Sequence, residues 1–384
     1  ESIRHTNIRA NVMESFKGPQ SIKGVRPREA VESMQGYQAP LEGRRSLLRL
    51  DFNENTLGPS PHVVEALHKI SRQQISIYPE YNGLREALIE NLNAKERCFS
   101  IKTEQVGVFN GVDGAIHAIF HSYGDRDDQV VTTTPTFGYY TPCAHMQGMK
   151  ILEFPYEGTN FNFPIEKISK ALVEHNPKLL LVCNPNNPTG TTLPAQEIIK
   201  FADLSPNTLV VVDELYEAFS GKSVLEKVNF ESTPNLIILR SLSKTAGLAG
   251  LRIGFALGNS DVIKRINRVV GPYDVNSFAV IAAFAALQDQ AYIDAYVKKV
   301  LLARDWMSSQ LLKSGHRYHV EGGNYLLVWP RQNSSKVEAS LKAAGILVRN
   351  MHGKPLIDGA LRISIGTINQ MKQFWDAFVI SDSR

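Results

Sequence analysis

Cysteine is scarce: Cys98, Cys143 and Cys183 are the only ones in 384 residues, and none forms a Cys-x-x-Cys pair or sits at metal-ligand spacing from a histidine. No metal is expected, and the usage fits a reducing compartment. Long apolar runs are also missing. The most apolar stretch, Phe278 to Leu287, is about half of the roughly 20 residues that a membrane-spanning helix needs. The start, Glu1 to Ser21, is polar, carries charges of both signs and has no apolar h-region. It has no initiator Met either, and cytoplasmic location is the expectation. Charge of one sign is lacking too: Lys+Arg 42 against Asp+Glu 38 leaves +4, with the basic residues scattered. Nucleic acid is therefore not an expected partner, whereas an anionic small molecule is compatible. No repeat or low-complexity tract occurs. What is present, 43% hydrophobic residues in a chain of this length, suffices for one large core and a smaller one in a soluble protein.

Ser60-Pro61 reads as an N-cap followed by proline at the first helical position, with Val64, Leu67 and Ile70 at helical spacing beyond it. A second helix carries Leu84, Leu88 and Leu92. From there on, short apolar runs alternate with amphipathic helices. Gln105–Phe109, Gln129–Thr134, Lys150–Phe154, Lys178–Cys183, Thr208–Asp213, Asn235–Ser241 and Ile253–Leu257 read as strands, several too continuously apolar to have a wet face. The helical stretches Ile165–His175 and Ala195–Leu204 between them predict crossover units on a mostly parallel sheet with helices on both faces. A long helix from Ala291 to Lys313 leads into a small α+β arrangement. It comprises strands Asn324–Trp329, Ile346–Arg349 and Leu361–Ile365, a helix around Val337–Ala344 and a last helix from Asn369. The expected division is an N-terminal arm with part of a small domain over residues 1–58, a large α/β domain over 59–290, and a linker helix with the small C-terminal domain over 291–384.

Active sites of open α/β sheets lie at the carboxyl ends of strands, so the residues just past each apolar run are where chemistry is sought. One such run ends in Ser241-Leu-Ser-Lys244-Thr-Ala-Gly-Leu-Ala-Gly-Leu-Arg252. It offers an amine beside hydroxyls and an arginine, a combination that suits a nucleophilic lysine whose pKa is lowered by burial or a nearby cation. Taken singly, Lys244 also reads as a solvated turn lysine. Two further strand ends carry Asn184-Pro-Asn-Asn187-Pro-Thr-Gly190 and Asp213-Glu-Leu-Tyr216. Singly these read as a turn and a helix cap; jointly they place an amide, a carboxylate with a phenol, and a lysine on one sheet edge. The glycines Gly247, Gly250 and Gly254 are spaced Gly-x-x-Gly-x-x-x-Gly and do not form the dinucleotide fingerprint.

The ordered set Asn-Pro-Thr-Gly, Asp-x-x-Tyr, Ser-x-Ser-Lys and a distal Gly-Leu-Arg resembles the fold-type-I pyridoxal-phosphate (PLP) aminotransferases, class I and II. Asn53-Glu-Asn-Thr-Leu-Gly-Pro-Ser-Pro61, Tyr78-Pro-Glu, Asn110-Gly-Val-Asp113, Pro135-Thr-Phe137, Gly323-Asn-Tyr325 and Leu361-Arg-Ile-Ser-Ile-Gly-Thr367 bring it nearest to the histidinol-phosphate aminotransferases. The resemblance implies the aspartate-aminotransferase fold. It also implies a cytoplasmic, homodimeric transferase of amino-acid metabolism, with a place in histidine biosynthesis, that moves an amino group between L-histidinol phosphate and 2-oxoglutarate. By it, Lys244 carries the cofactor as a Schiff base, Asp213 pairs with the pyridinium nitrogen, and Asn187 and Tyr216 hold the ring hydroxyl. Ser241, Ser243, Arg252, the segment Gly111, Val112 and Asp113, and Tyr78 from the other subunit bind the phosphate, while Phe137 stacks on the ring. Tyr37, Asn53, Asn324 and Arg362 face the substrate. A helix N-terminus at Gly111 would suit an anion without any analogy.

The chain departs from the histidinol-phosphate pattern at Asn110-Gly-Val-Asp-Gly114, where a hydroxyl and a carboxylate are lost, and after Tyr78-Pro-Glu. These departures keep open a second reading on the same scaffold: a cyclase or lyase of specialised metabolism acting on an amino acid such as a hydroxylated arginine.

Overall fold

The computed structural model describes residues 24–96 and 101–383; Cys98 and the polar start Glu1 to Ser21 lie outside the described residues. A seven-stranded sheet forms the centre, in the order Val106–Phe109, Gly254–Gly258, Leu236–Ser241, Leu209–Asp213, Leu179–Cys183, Gln129–Thr134, Lys150–Pro155. Gly254–Gly258 is antiparallel to both neighbours, and the other strand pairs are parallel.

The continuous apolar runs have a direct explanation. Leu180, Val182, Val210, Val212, Leu236 and Ile238 point into one core, and Leu179, Leu181, Val211, Ile237 and Leu239 into another on the opposite face. Alternating residues thus enter two different cores, so neither face can be polar. Helices Ile165–His175, Ala195–Leu204 and Ser277–Gln288 cover the first face, and Gly111–Tyr123, Tyr140–Gln147 and Ser260–Asn267 the second. The apolar segment from Phe278 is therefore part of a helix buried along one side, with Phe278 itself exposed, and among the described residues no helix is long and apolar enough to cross a membrane.

A third core lies under a four-stranded antiparallel sheet ordered Arg349–Asn350, Leu361–Ser364, Tyr325–Trp329, Arg317–Val320. Helices Gln290–Ser314, Ser334–Ala343 and Ile368–Asp382 fill it with Val300, Met307, Leu311, Leu341, Phe374 and Phe378. The N-terminal segment joins this body: Leu48–Arg49 pairs in parallel with Ile346–Leu347, and Leu50 is buried in the same core. The structure corrects one strand. The run expected as Ile346–Arg349 is two short strands in different sheets, because buried Val348 marks where the chain passes from the pairing with Leu48–Arg49 to the pairing with Leu361–Ser364. Strand Arg317–Val320 and helices Tyr140–Gln147 and Ser260–Asn267 were not legible beforehand, although Val262, Ile263 and Ile266 share one helix face.

Candidate active site

The parallel strands put Phe109, Cys183, Asp213 and Ser241 at their carboxyl ends, and Gly254 begins the antiparallel strand opposite both Phe109 and Ser241. The loops that follow all open on this edge. Two glycines allow them to meet. A Cβ on Gly254 would lie 2.6 Å from the Gly111 carbonyl carbon and 2.7 Å from the Val112 nitrogen, and one on Gly111 would lie 2.9 Å from an Arg252 Nη. Only bare backbone lets the start of helix Gly111–Tyr123, the strand and the arginine come this close.

The result is a cradle of anion-binding character. The helix start supplies unpaired N–H groups and the positive end of a dipole. The Arg252 guanidinium stands against it, donating to Asp113 Oδ2 at 3.1 Å, from a backbone with φ of 60°. Ser241 Oγ lies 2.8 Å from Ser243 Oγ and accepts the Ser243 N–H at 2.9 Å.

Beside the cradle, Lys244 is partly buried and its Nζ donates to the Phe52 carbonyl at 2.7 Å. Burial pushes the amine down to about 8, helped by the Arg362 charge and opposed by Glu54 and Asp113. Asp213 is buried, and burial pushes its carboxyl up to about 6. Two donors hold its charged form, Tyr140 Oη on Oδ2 at 2.7 Å and the Leu215 N–H on Oδ1 at 3.2 Å. The adjacent Glu214 faces away, bound by Arg240, Ser223 and the Val224 N–H. The edge of Tyr140 meets the half-buried Phe137 ring at 5.5 Å and 87°.

On the other side, Asn53 has φ of 56° and is buried. Its amide donates to Tyr216 Oη at 3.1 Å, and its carbonyl accepts from Asn324 Nδ2 at 3.1 Å. Burial raises the Tyr216 phenol and Arg362 opposes the shift. Arg362 itself is buried, donating to Asn187 Oδ1 at 2.7 Å and to the Asp51 carbonyl. Its Nε, like Asn324 Oδ1, is a buried polar atom with no partner among the described residues.

Of the residues singled out from sequence, the structure gathers Lys244, Asp213, Tyr216, Asn187, Asn53, Asn324 and Arg362, with the cradle of Gly111, Val112, Asp113, Ser241, Ser243 and Arg252, at one sheet edge. Tyr37 is 52% exposed and stands edge-on to Phe137 at 6.5 Å and to Tyr139 at 6.0 Å. Tyr78 is not part of the hydrogen-bonded group. It is 71% exposed, stacked on Tyr273 at 4.2 Å in a groove of about 530 Å³ with Ile75, Ile77 and Phe278. Sequence reading missed Tyr140, although it lies three residues past Phe137, and it missed Arg349. Arg349 is the register partner of Arg362 on the neighbouring antiparallel strand, so both side chains leave the same sheet face. Its charge helps lower the Arg362 pKa, after burial.

Known proteins resemble this chain in sequence and in fold. Residues 45–378 match the family model for aminotransferase class I and II. The chain is 32% identical over 362 residues, 92% of its length and 89% of the relative's, to a histidinol-phosphate aminotransferase of Moorella thermoacetica. It is 33% identical over 331 residues, 85% of its length and 88% of the relative's, to a dihydroxyacetone phosphate transaminase of Campylobacter jejuni. The fold superposes with a TM-score of 0.83, at 24% identity, on the histidinol-phosphate aminotransferase of Sinorhizobium meliloti in complex with pyridoxal-5′-phosphate, covering 94% of this chain and 99% of that one.

Proposed function

The chain belongs to the class I and II aminotransferases, PLP-dependent transaminases of the aspartate-aminotransferase fold, and from that premise we propose that it exchanges an amino group between a phosphorylated amino substrate and 2-oxoglutarate, with Lys244 as the residue that carries the cofactor. L-Histidinol phosphate is the first candidate donor, which would place the enzyme in histidine biosynthesis. We further propose that it works in the cytoplasm as a homodimer, with residues 59–290 as the large domain and the 1–58 arm joined to the small domain of 291–384. The exposed Ile75, Ile77, Tyr78, Tyr273 and Phe278 suit a dimer face, from which a second copy would bring its own Tyr78 to the cradle.

The residues fit PLP. Ser241, Ser243, Arg252 and the Gly111–Asp113 backbone would hold the phosphate, at a helix start that a Cβ on Gly111 would obstruct. Asp213 would pair with the ring nitrogen, Asn187 and Tyr216 would hold the ring hydroxyl, and Phe137 would lie on the ring face. The bound cofactor supplies an aldehyde for the amine and a pyridinium ring that withdraws electrons. The protein's part is positional and electrostatic. Asp213, whose charged form accepts hydrogen bonds from Tyr140 and the Leu215 N–H, would keep a positive charge on the ring nitrogen. Lys244 would serve as a base of suitable strength near neutrality for a substrate Cα proton, because burial weakens its hold on its own proton. The buried Arg362 Nε is available to an anionic substrate group, with Tyr37, Asn53 and Asn324 around it.

The observation that carries the substrate class is the Arg349–Arg362 pair. Two guanidinium groups sent from one sheet face, without a carboxylate between them in the register, suit a dianion better than a single carboxylate. The names of the two curated relatives each contain a phosphate ester. The test is a panel of amino donors mixed with the yellow enzyme. L-Histidinol phosphate and other phosphorylated amines should bleach the cofactor band, and 2-oxoglutarate should restore it. Ring closure or elimination from an unphosphorylated amino acid, with no keto acid needed, would overturn the reading in favour of a cyclase or lyase.

A pH dependence follows from the Lys244 amine. Only its neutral form can attack an aldehyde, and a lowered pKa means that form predominates above about 8. Stopped-flow loading of cofactor-free protein should therefore accelerate as pH rises and be half-maximal near 8, well below the value of about 10.4 for an exposed lysine.

A further inference from the structure

We propose that Arg44, outside the cleft, is a positioning residue that clamps the strap Asp51–Glu54 and thereby aims the Lys244 amine. The inference rests on the assignment of Lys244 to the cofactor.

The strap crosses the cleft as irregular backbone, and its carbonyls accept from the buried Arg362 and the partly buried Lys244. The Asp51 carbonyl takes Arg362, and the Phe52 carbonyl takes Lys244 Nζ at 2.7 Å. A backbone acceptor directs a flexible amine only if it is itself fixed. From inside, the strap is held at Asn53 by Ser364, Asn324 and Tyr216, and at Asn55 by the Thr245 carbonyl. The Arg349 guanidinium is 5.9 Å from the Phe52 ring centroid, but among the described residues none of these groups grips Asp51 or Phe52 closely by the side chain.

Arg44 does so from outside. Its Nε and one Nη donate to the two Asp51 oxygens at 3.0 and 2.6 Å, its Nη atoms reach both Glu54 oxygens at 3.3 and 2.8 Å, and its guanidinium carbon sits 4.0 Å above the Phe52 ring. One planar group thus engages three of four consecutive strap residues. The side chains are mostly withdrawn from water, Arg44 being 12% and Asp51 6% exposed, so the pairing is weakly screened and geometrically demanding. A lysine could supply the charge but not the fork.

The test separates aim from binding. Covalent loading by pyridoxal 5′-phosphate consumes the neutral Lys244 amine, forms a C=N bond and releases one water, and borohydride fixes it. Pyridoxamine 5′-phosphate has no aldehyde and reports on the cradle alone. In Arg44→Gln the covalent loading rate should fall about tenfold, as expected when a reacting group is displaced by a fraction of an ångström, while the pyridoxamine 5′-phosphate dissociation constant stays within about twofold. Arg44→Lys should show the same split to a smaller degree, and it decides the matter if Arg44→Gln shows no cooperative melting. Ethylguanidinium should partly restore the loading rate of Arg44→Ala. A loading rate within about twofold of the parent, or loading and pyridoxamine 5′-phosphate affinity falling in proportion, would show a merely structural ion pair and overturn the proposal. Lys244→Ala run alongside identifies the other failure: a borohydride-fixed adduct in that variant means that the lysine assignment is wrong.

Discussion

Lys244→Ala protein should take up pyridoxal phosphate without acquiring the borohydride-sensitive yellow band, and its turnover should fall by on the order of 10⁴-fold, the upper range for loss of a positioned acid–base group. The cradle does not depend on this side chain: Gly111, Ser241, Ser243 and Arg252 meet through backbone approach and their own hydrogen bonds. Cofactor should therefore still bind, noncovalently, and be lost on dialysis. Absorbance before and after dialysis, with borohydride treatment, reads both halves of the expectation. Residual activity within tenfold of the parent would mean that another amine performs the chemistry.

Asp213→Ala should separate binding from chemistry in the opposite sense. The lysine, serines and arginine remain, so covalent loading persists, but the buried Asp213 carboxylate is gone. Turnover should drop by on the order of 10²–10³-fold, the scale seen when a preorganised electrostatic partner is removed from a buried site. Glu214 cannot substitute, because its oxygens are committed to Arg240, Ser223 and the Val224 N–H. Single-turnover bleaching by an amino donor measures the loss directly; an unchanged rate would place the ring nitrogen's partner elsewhere. Tyr140 gives a graded control. Tyr140→Phe keeps the ring against Phe137 and removes one of the two donors that hold Asp213 ionised.

The parts legible in sequence were those encoded by side-chain type at strand ends. Thr208–Asp213 and Asn235–Ser241 were bounded within a residue of their observed strands, because a strand buried on both faces is continuously apolar and its first polar residue announces the loop. Lys244, Asp213 and Asn187 follow from that pattern. Contacts made by backbone carbonyls were invisible: any residue could stand at Asp51 or Phe52 and offer the same oxygen to Arg362 or Lys244. Arg349 was hidden for another reason. Its pairing with Arg362 depends on the chain leaving one sheet and entering another at Val348, a step that a uniform apolar run conceals.

The alternation of neighbouring side chains between two separate cores gives the strand Leu209–Asp213 an unforgiving reading frame. Inserting or deleting a single amino acid within it would send Val210 and Val211 to each other's sides and rotate the second of two adjacent carboxylates, rather than the first, toward the cleft. The face to which that strand's terminal carboxylate points is thus fixed by parity of chain length, and length variation should be tolerated only in the loops beyond it.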